Sequence, residues 1–209
     1  MGLLNGSMIK TIFFDIGGVL INIHPERTIQ YLSDCTDVQP KIIRDRFPID
    51  AHNEYEKGNL NDNEWFLAVK EKLPQPSCLK ESDFYTGWKK LLGKEKSTVK
   101  LIERLNRSHS IWLLSNTNTQ HIRDEIENRY LFPQLVDGAI YSFDAGFRKP
   151  DKEIYQYALR MAKTQPDQSL FIDDLEENIL SAKAIGMHGI HFESTQKLEY
   201  DLIQIGLLK

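Results

Sequence analysis

The chain has 209 residues, 41% of them hydrophobic and 27% charged, with a formal net charge of -4. That is an ordinary globular composition, long enough to bury a real core and unlike a disordered chain. The acidic balance lacks the basic footprint of a nucleic-acid binder, so no nucleic-acid partner is expected.

Residues 1–7 end in Gly6-Ser7 before Met8 and read as a cloning remnant, with Met8 as the natural start. No basic region followed by a long apolar stretch marks a secretory signal. No run approaches the ~18 apolar residues of a membrane helix, so no membrane partner is expected. Cys35 and Cys78 form no paired motif. A reducing compartment and a cytoplasmic location are therefore expected. Monomer and homodimer both stay open.

Taken in chain order, Ile9–Phe14 is a short apolar run that stops at Asp15 and Gly17-Gly18. It reads as a buried strand and a tight loop. From Pro25 to Leu92 the patterns are helical: Glu26–Ser33, Gln39–Phe47, His52–Lys57, Asn61–Leu73 and Glu81–Leu92. Asp62 or Asn63 is the expected cap of the fourth of these. Lys89, Lys90, Lys94 and Lys96, interrupted by Glu95, read as a solvated turn and a helix start.

Beyond Lys94 strands and helices alternate. Helix Thr98–Arg107 precedes strand Ser110–Leu114, and helix Thr119–Tyr130 precedes strand Ala139–Ser142. Helix Lys152–Lys163, strand Ser169–Ile172, helix Glu176–Gly186, strand Gly189–Phe192 and helix Thr195–Ile205 complete the chain. Such alternation predicts βαβ units and an α/β fold with a Rossmann-like parallel sheet. The helical stretch after the first strand breaks the alternation and reads as an inserted α-helical cap. The expected division is a catalytic core over 8–23 and 95–209, with the cap over 24–94.

Three predicted strands end in polar residues: Asp15-Ile16-Gly17-Gly18, Ser115-Asn116 and Asp173-Asp174. Ligands of an open parallel sheet lie outside the carboxyl ends of its strands, so all three clusters converge on one crevice. Lys149, between Arg148 and Pro150, precedes a helix nearby. Asp15, Asp173 and Asp174 are hard oxygen donors suited to magnesium more than zinc. Gly17 and Gly18 let the backbone approach a phosphate. Ser115 and Asn116 can donate hydrogen bonds to phosphoryl oxygens. Lys149 supplies positive charge to a phosphate and to carboxylates that otherwise repel. His188 and His191 alternate across a predicted strand, which argues against a zinc pair.

Most of these residues also have a plain structural reading. Asp15 alone is a turn cap, Ser115-Asn116 alone a helix start, and Lys149 alone a surface charge. Only Asp173-Asp174, adjacent acids after an apolar strand, resists such an explanation. It is the ordered set that points to phosphoryl transfer.

In that order and at strand ends, the four motifs resemble the haloacid dehalogenase-like hydrolase superfamily, from Met8 onward. Gly17-Gly18-Val19, Leu114-Ser115-Asn116-Thr117-Asn118, Arg148-Lys149-Pro150 and Ile172-Asp173-Asp174 further resemble bacterial sugar-phosphate phosphatases, notably the glucose-1-phosphate group. They also resemble the N-terminal phosphatase domain of soluble epoxide hydrolases. The resemblance implies Mg2+ as cofactor, a small phosphorylated metabolite as partner, and a covalent aspartyl phosphate on Asp15. It implies metal ligation by Asp15, the Gly17 carbonyl and Asp174, with Asp173 as a further ligand or holder of a metal-bound water. It places Ser115 and Asn116 around the phosphoryl oxygens and Lys149 between Asp15 and the phosphate. Asn178 would steady the acidic loop.

Gly17 departs from the pattern, because most phosphatases of the superfamily carry a general acid–base aspartate there. Such help is typically worth ~10²–10⁴-fold in rate. His24 is the nearest titratable replacement in sequence, although a plain helix-entry role also suits it. The departure leaves two other readings open: a dehalogenase using the same aspartate on carbon, which has no need of Asp174 as a metal ligand, and a phosphometabolite-binding protein without turnover.

Overall fold

The computed structural model describes residues 9–209, so the remnant expected at 1–7 and the start at Met8 lie outside the described residues. Five parallel strands form the central sheet in the order β5-β4-β1-β6-β7. They are β1 Thr11–Phe14, β4 Ser110–Ser115, β5 Gly138–Tyr141, β6 Ser169–Asp173 and β7 His188–His191. In register, Phe14 faces Leu113 on one side and Ile172 on the other. All four residues of β1 are buried, as a strand covered by helices on both faces requires.

The two faces of the sheet follow the period-two alternation of a strand. Ile12, Phe14, Ile111, Leu113 and Ile172 pack with Ile102 of helix α6 (Val99–Leu105) and Leu198 and Leu202 of helix α12 (Thr195–Gln204). Phe13, Leu114 and Phe171 pack with Ile154 and Tyr155 of α10 (Lys152–Met161) and Ile179 of α11 (Glu176–Ala184). From β1 the chain moves to β4 and β5 on one side and later to β6 and β7 on the other. That reversal opens the crevice above the carboxyl end of β1.

Between β2 (Ile21–Ile23) and β3 (Leu92–Glu95) lie five helices: α1 Pro25–Thr36, α2 Pro40–Asp45, α3 Ile49–Glu56, α4 Asp62–Lys72 and α5 Glu81–Lys89. They enclose a separate apolar cluster around Trp65, Phe66, Phe84 and Trp88. Cys35 and Cys78, at its edge, are both free. Among the described residues no helix is long and apolar enough to cross a membrane.

Local sequence misplaced two features. The last of the five helices stops at Lys89, and Leu92–Glu95 is a strand paired antiparallel with Ile21–Ile23. Leu-Gly-Lys-Glu has little β propensity, so the partner strand decides the conformation. Any side chain at position 93 would come within 2.8 Å of the Asn22 carbonyl, so glycine allows the close approach. In α4 the cap is Asn61, not Asp62 or Asn63. Its Oδ1 accepts from the Glu64 amide at 3.0 Å, and Glu64 Oε2 accepts from the Asn61 amide at 2.8 Å. This capping box outcompetes Asp62, whose carboxylate accepts instead from Tyr55 and Gln120.

Candidate active site

Asp15 follows β1 directly, its amide donating to the Ile172 carbonyl at 2.9 Å. Asp173 closes β6, and Lys149 reaches both from the loop before α10. The Lys149 Nζ lies 2.8 Å from Asp15 Oδ1, 2.7 Å from Asp173 Oδ2 and 3.0 Å from the Leu114 carbonyl. Its three donors are thereby all engaged although the side chain is buried. Asp173 is fully buried, and its other contacts are the Leu175 amide at 2.8 Å and Asn178 Nδ2 at 3.0 and 3.1 Å. Asn178 thus holds the Asp173 carboxylate at the head of the acidic loop.

The carboxylates of Asp15, Asp173 and Asp174 each offer an oxygen within 4.8 Å of the others. One ammonium cannot neutralise three carboxylates. Burial, opposed by Lys149 and reinforced by Asp173 and Asp174, pushes the Asp15 carboxyl up to about 7. Burial and the neighbouring Asp173 also raise Asp174. A hard divalent cation fits this donor set, since it supplies the missing positive charge. Asp173 has both oxygens engaged, whereas Asp15 Oδ2 and Asp174 are freer. The Asp174 carbonyl accepts from His191 Nε2 at 2.9 Å, which fixes the loop behind it.

The two glycines do different work. Gly18 has φ +75°, and a side chain there would meet Asp174 Oδ2 at 2.0 Å. Its amide donates to Ile21 at 3.0 Å, so it serves the turn and not a phosphate. Gly17 lies beside the cavity, and a Cβ added to it meets only Ile23, at 3.4 and 3.5 Å.

Ser115 ends β4 with its hydroxyl only 3.5 Å from the Asn116 carbonyl, a weak contact that leaves it available. Asn116 is placed otherwise than the sequence suggested. Its side-chain amide clamps the Lys149 backbone, with Nδ2 donating to the Lys149 carbonyl at 2.9 Å and Oδ1 accepting from the Lys149 amide at 2.8 Å. Any contact with a phosphate therefore falls to its backbone.

A cavity of about 180 Å³ lies over Gly17, Ser115 and Asn116, and its far wall comes from α3 and α5 through His52, Glu56 and Trp88. His24 does not line it. The His24 ring sits against Gly93 and pairs with Glu26 at 3.0 Å, because the β2–β3 pairing turns it away. Local sequence also gave no sign of Glu56, of His121 or of what Arg148 pairs with. Glu56 Oε2 accepts from Arg148 Nε and an Nη at 3.1 and 3.0 Å, tying α3 to the residue before Lys149. His121 stacks on Trp88 with its Nε2 3.2 Å from the Trp88 carbonyl, and burial lowers it to about 4. The Arg148-Lys149-Pro150 triplet was visible, but a contact 92 residues away in sequence leaves no local signal.

The sequence model of the haloacid dehalogenase-like hydrolase family matches residues 9–186. The sesquiterpene phosphatase AstK of Aspergillus oryzae is 25% identical over 196 residues, covering 94% of this chain and 96% of that one. The D-ribitol-5-phosphate phosphatase of Bacteroides thetaiotaomicron is 24% identical over 186 residues, covering 86% and 89%. Among solved structures, the HAD family enzyme BT-2542 of the same bacterium, in complex with magnesium and inorganic phosphate, is similar with a TM-score of 0.78 and 25% identity. That match covers 89% of this chain and 95% of the other.

Proposed function

Because the chain belongs to the haloacid dehalogenase-like hydrolase family, we propose that it is a magnesium-dependent phosphatase acting on a small phosphorylated metabolite through an aspartyl phosphate on Asp15. The observation that carries this reading is the buried Lys149 bridge between Asp15 and Asp173, with Asp174 completing a three-carboxylate set beside the free hydroxyl of Ser115. Residues 24–94 act as the cap that closes the site.

Lys149 holds Asp15 Oδ1, leaving Oδ2 to attack phosphorus. The ester P–O bond breaks, the alkoxide leaves and takes a proton from solvent, and the phosphoryl group rests on Asp15. Water then attacks phosphorus and releases inorganic phosphate, restoring the carboxylate. Ser115 and the Asn116 amide bind phosphoryl oxygens, and Lys149 opposes the charge that Asp15 and the phosphate bring together. Asp15, Asp174 and the Gly17 carbonyl would hold magnesium, and Asp173 orders the others through Lys149 and Asn178. Magnesium, when bound, supplies the positive charge that lets a dianionic phosphate approach an anionic nucleophile. A dehalogenase would have no use for Asp174 in this set.

The similar phosphatases carry names that point to different alcohols, one a polyol and one a sesquiterpene. The sugar-phosphate expectation finds support in the former and none in the latter. The experiment is phosphate release from an aryl phosphate across a magnesium titration, with Asp174→Ala beside the unmodified protein. Activity that needs magnesium and is lost in a folded Asp174→Ala supports the reading. Full activity in excess chelator rules it out.

A further inference from the structure

A second cavity, of about 440 Å³, lies among α1, α2, α4 and α5 and shares His52, Trp88 and Leu91 with the cavity over Gly17 and Ser115. Its volume falls within the ~300–1,000 Å³ of small-molecule sites. Its depth is lined by Ile29, Leu32, Ile43, Val69, Leu73 and Phe84. Arg44, Arg46 and Phe47 are exposed and form its rim. The His52 and Trp88 rings, which line both cavities, lie edge to face at 5.8 Å.

Below the arginine rim the cavity offers few polar groups. The Thr28 hydroxyl is taken up by the Gly87 carbonyl at 2.9 Å, and His52, 3.8 Å from Glu56, presents its ring to Phe47, Trp65 and Trp88. The Trp88 indole N–H is buried without a partner. One donor serves a single polar substituent. A polyol would bury several hydroxyls here without partners, which is unfavourable, whereas a hydrocarbon loses nothing on leaving water.

We propose that the alcohol half of the substrate is an apolar carbon skeleton, seated in this cavity while its phosphate lies at Asp15; the proposal rests on the phosphatase reading above. The two cavities meet at His52, Trp88 and Leu91, so a substrate that spans both passes between these side chains.

The test is kcat/KM of the unmodified protein, with magnesium, on n-alkyl phosphates from ethyl to decyl and on D-ribitol 5-phosphate. The expected result is a rise of about fourfold per methylene until the cavity fills, with the polyol phosphate among the poorest substrates. Val69→Phe, which fills the cavity, flattens the rise for the longer chains; Ile43→Phe from another helix makes the same test if that variant does not fold. A flat or falling series with the polyol preferred overturns the inference and leaves the phosphatase reading standing. If no ester releases phosphate, that reading has failed instead. Calorimetric titration with alkyl phosphonates then decides the cavity alone: binding that tightens with chain length upholds it, and length-independent binding overturns it.

Discussion

Replacing Gly18 by alanine adds one methyl group and should disable the site. The residue sits at φ +75°, where a Cβ would lie 2.0 Å from Asp174 Oδ2 and 2.5 Å from its Cγ. The left-handed backbone alone costs about 1–2 kcal/mol for a non-glycine residue. For a chain of this size that lowers Tm by roughly 2–8 °C. The larger effect is on Asp174, whose carboxylate must retreat by about 1 Å to reach the 3.0 Å a methyl tolerates. A displacement of that size in a catalytic group can lower the rate ~10²-fold. Gly17→Ala is the matched control, because its methyl meets only Ile23 at 3.4 and 3.5 Å and its φ is not positive. The assay is a thermal melt by circular dichroism together with a magnesium titration of aryl phosphate hydrolysis. Gly18→Ala should remain folded, melt lower and need far more magnesium, whereas Gly17→Ala should stay close to the unmodified protein. Equal magnesium dependence in the two variants would refute the placement of Asp174.

Three further outcomes are expected. Gly17→Asp, for which the structure has room beside Ile23, should raise the single-turnover rate on a primary alkyl phosphate by up to ~10²-fold while changing the aryl rate little; a folded, magnesium-binding variant with no gain would mean that another group already supplies the proton. His24→Ala should leave both rates unchanged, since the ring lies against Gly93 and Glu26, and a tenfold fall would return it to the chemistry. His121 is held neutral by burial, about 4 against an ordinary 6.5. The unfolded chain therefore binds its proton first as pH falls, so stability is full above 6.5 and declines toward 4, by about 3 kcal/mol in all. Denaturant melts across that range should show a shallower acid loss in His121→Gln, and parallel curves for the two proteins would contradict the assignment.

What was legible in the sequence follows from how local each signal is. Apolar runs ending at Asp15, Ser115 and Asp173 placed three adjacent parallel strands, because a buried strand writes its burial into consecutive residues. Their carboxyl ends then brought Asp15, Lys149, Asp173 and Asp174 together. The β2–β3 pair escaped notice because Leu92–Glu95 becomes a strand only against Ile21–Ile23. Asn116 looked like a phosphate donor, and only the fold shows its amide on the Lys149 backbone. His24 was chosen by proximity along the chain, whereas the side chains across from Gly17 arrive from α3 and α5. Glu56 and Arg148 meet across 92 residues, a contact with no periodicity or spacing to betray it.

The central claim is a phosphoryl group carried on Asp15, and the empty position at Gly17 makes it accessible to measurement. An aryl phosphate loses its alcohol without a proton donor, so transfer to Asp15 should be fast. Hydrolysis of the aspartyl phosphate lacks the base that Gly17 cannot provide and should be slower, so the intermediate accumulates. Acid quenching during magnesium-supported turnover, followed by peptide mass mapping, should find the phosphoryl group on the peptide containing Asp15 and none in Asp15→Asn. Steady turnover with that peptide unmodified, or with the group on another residue, would contradict the account.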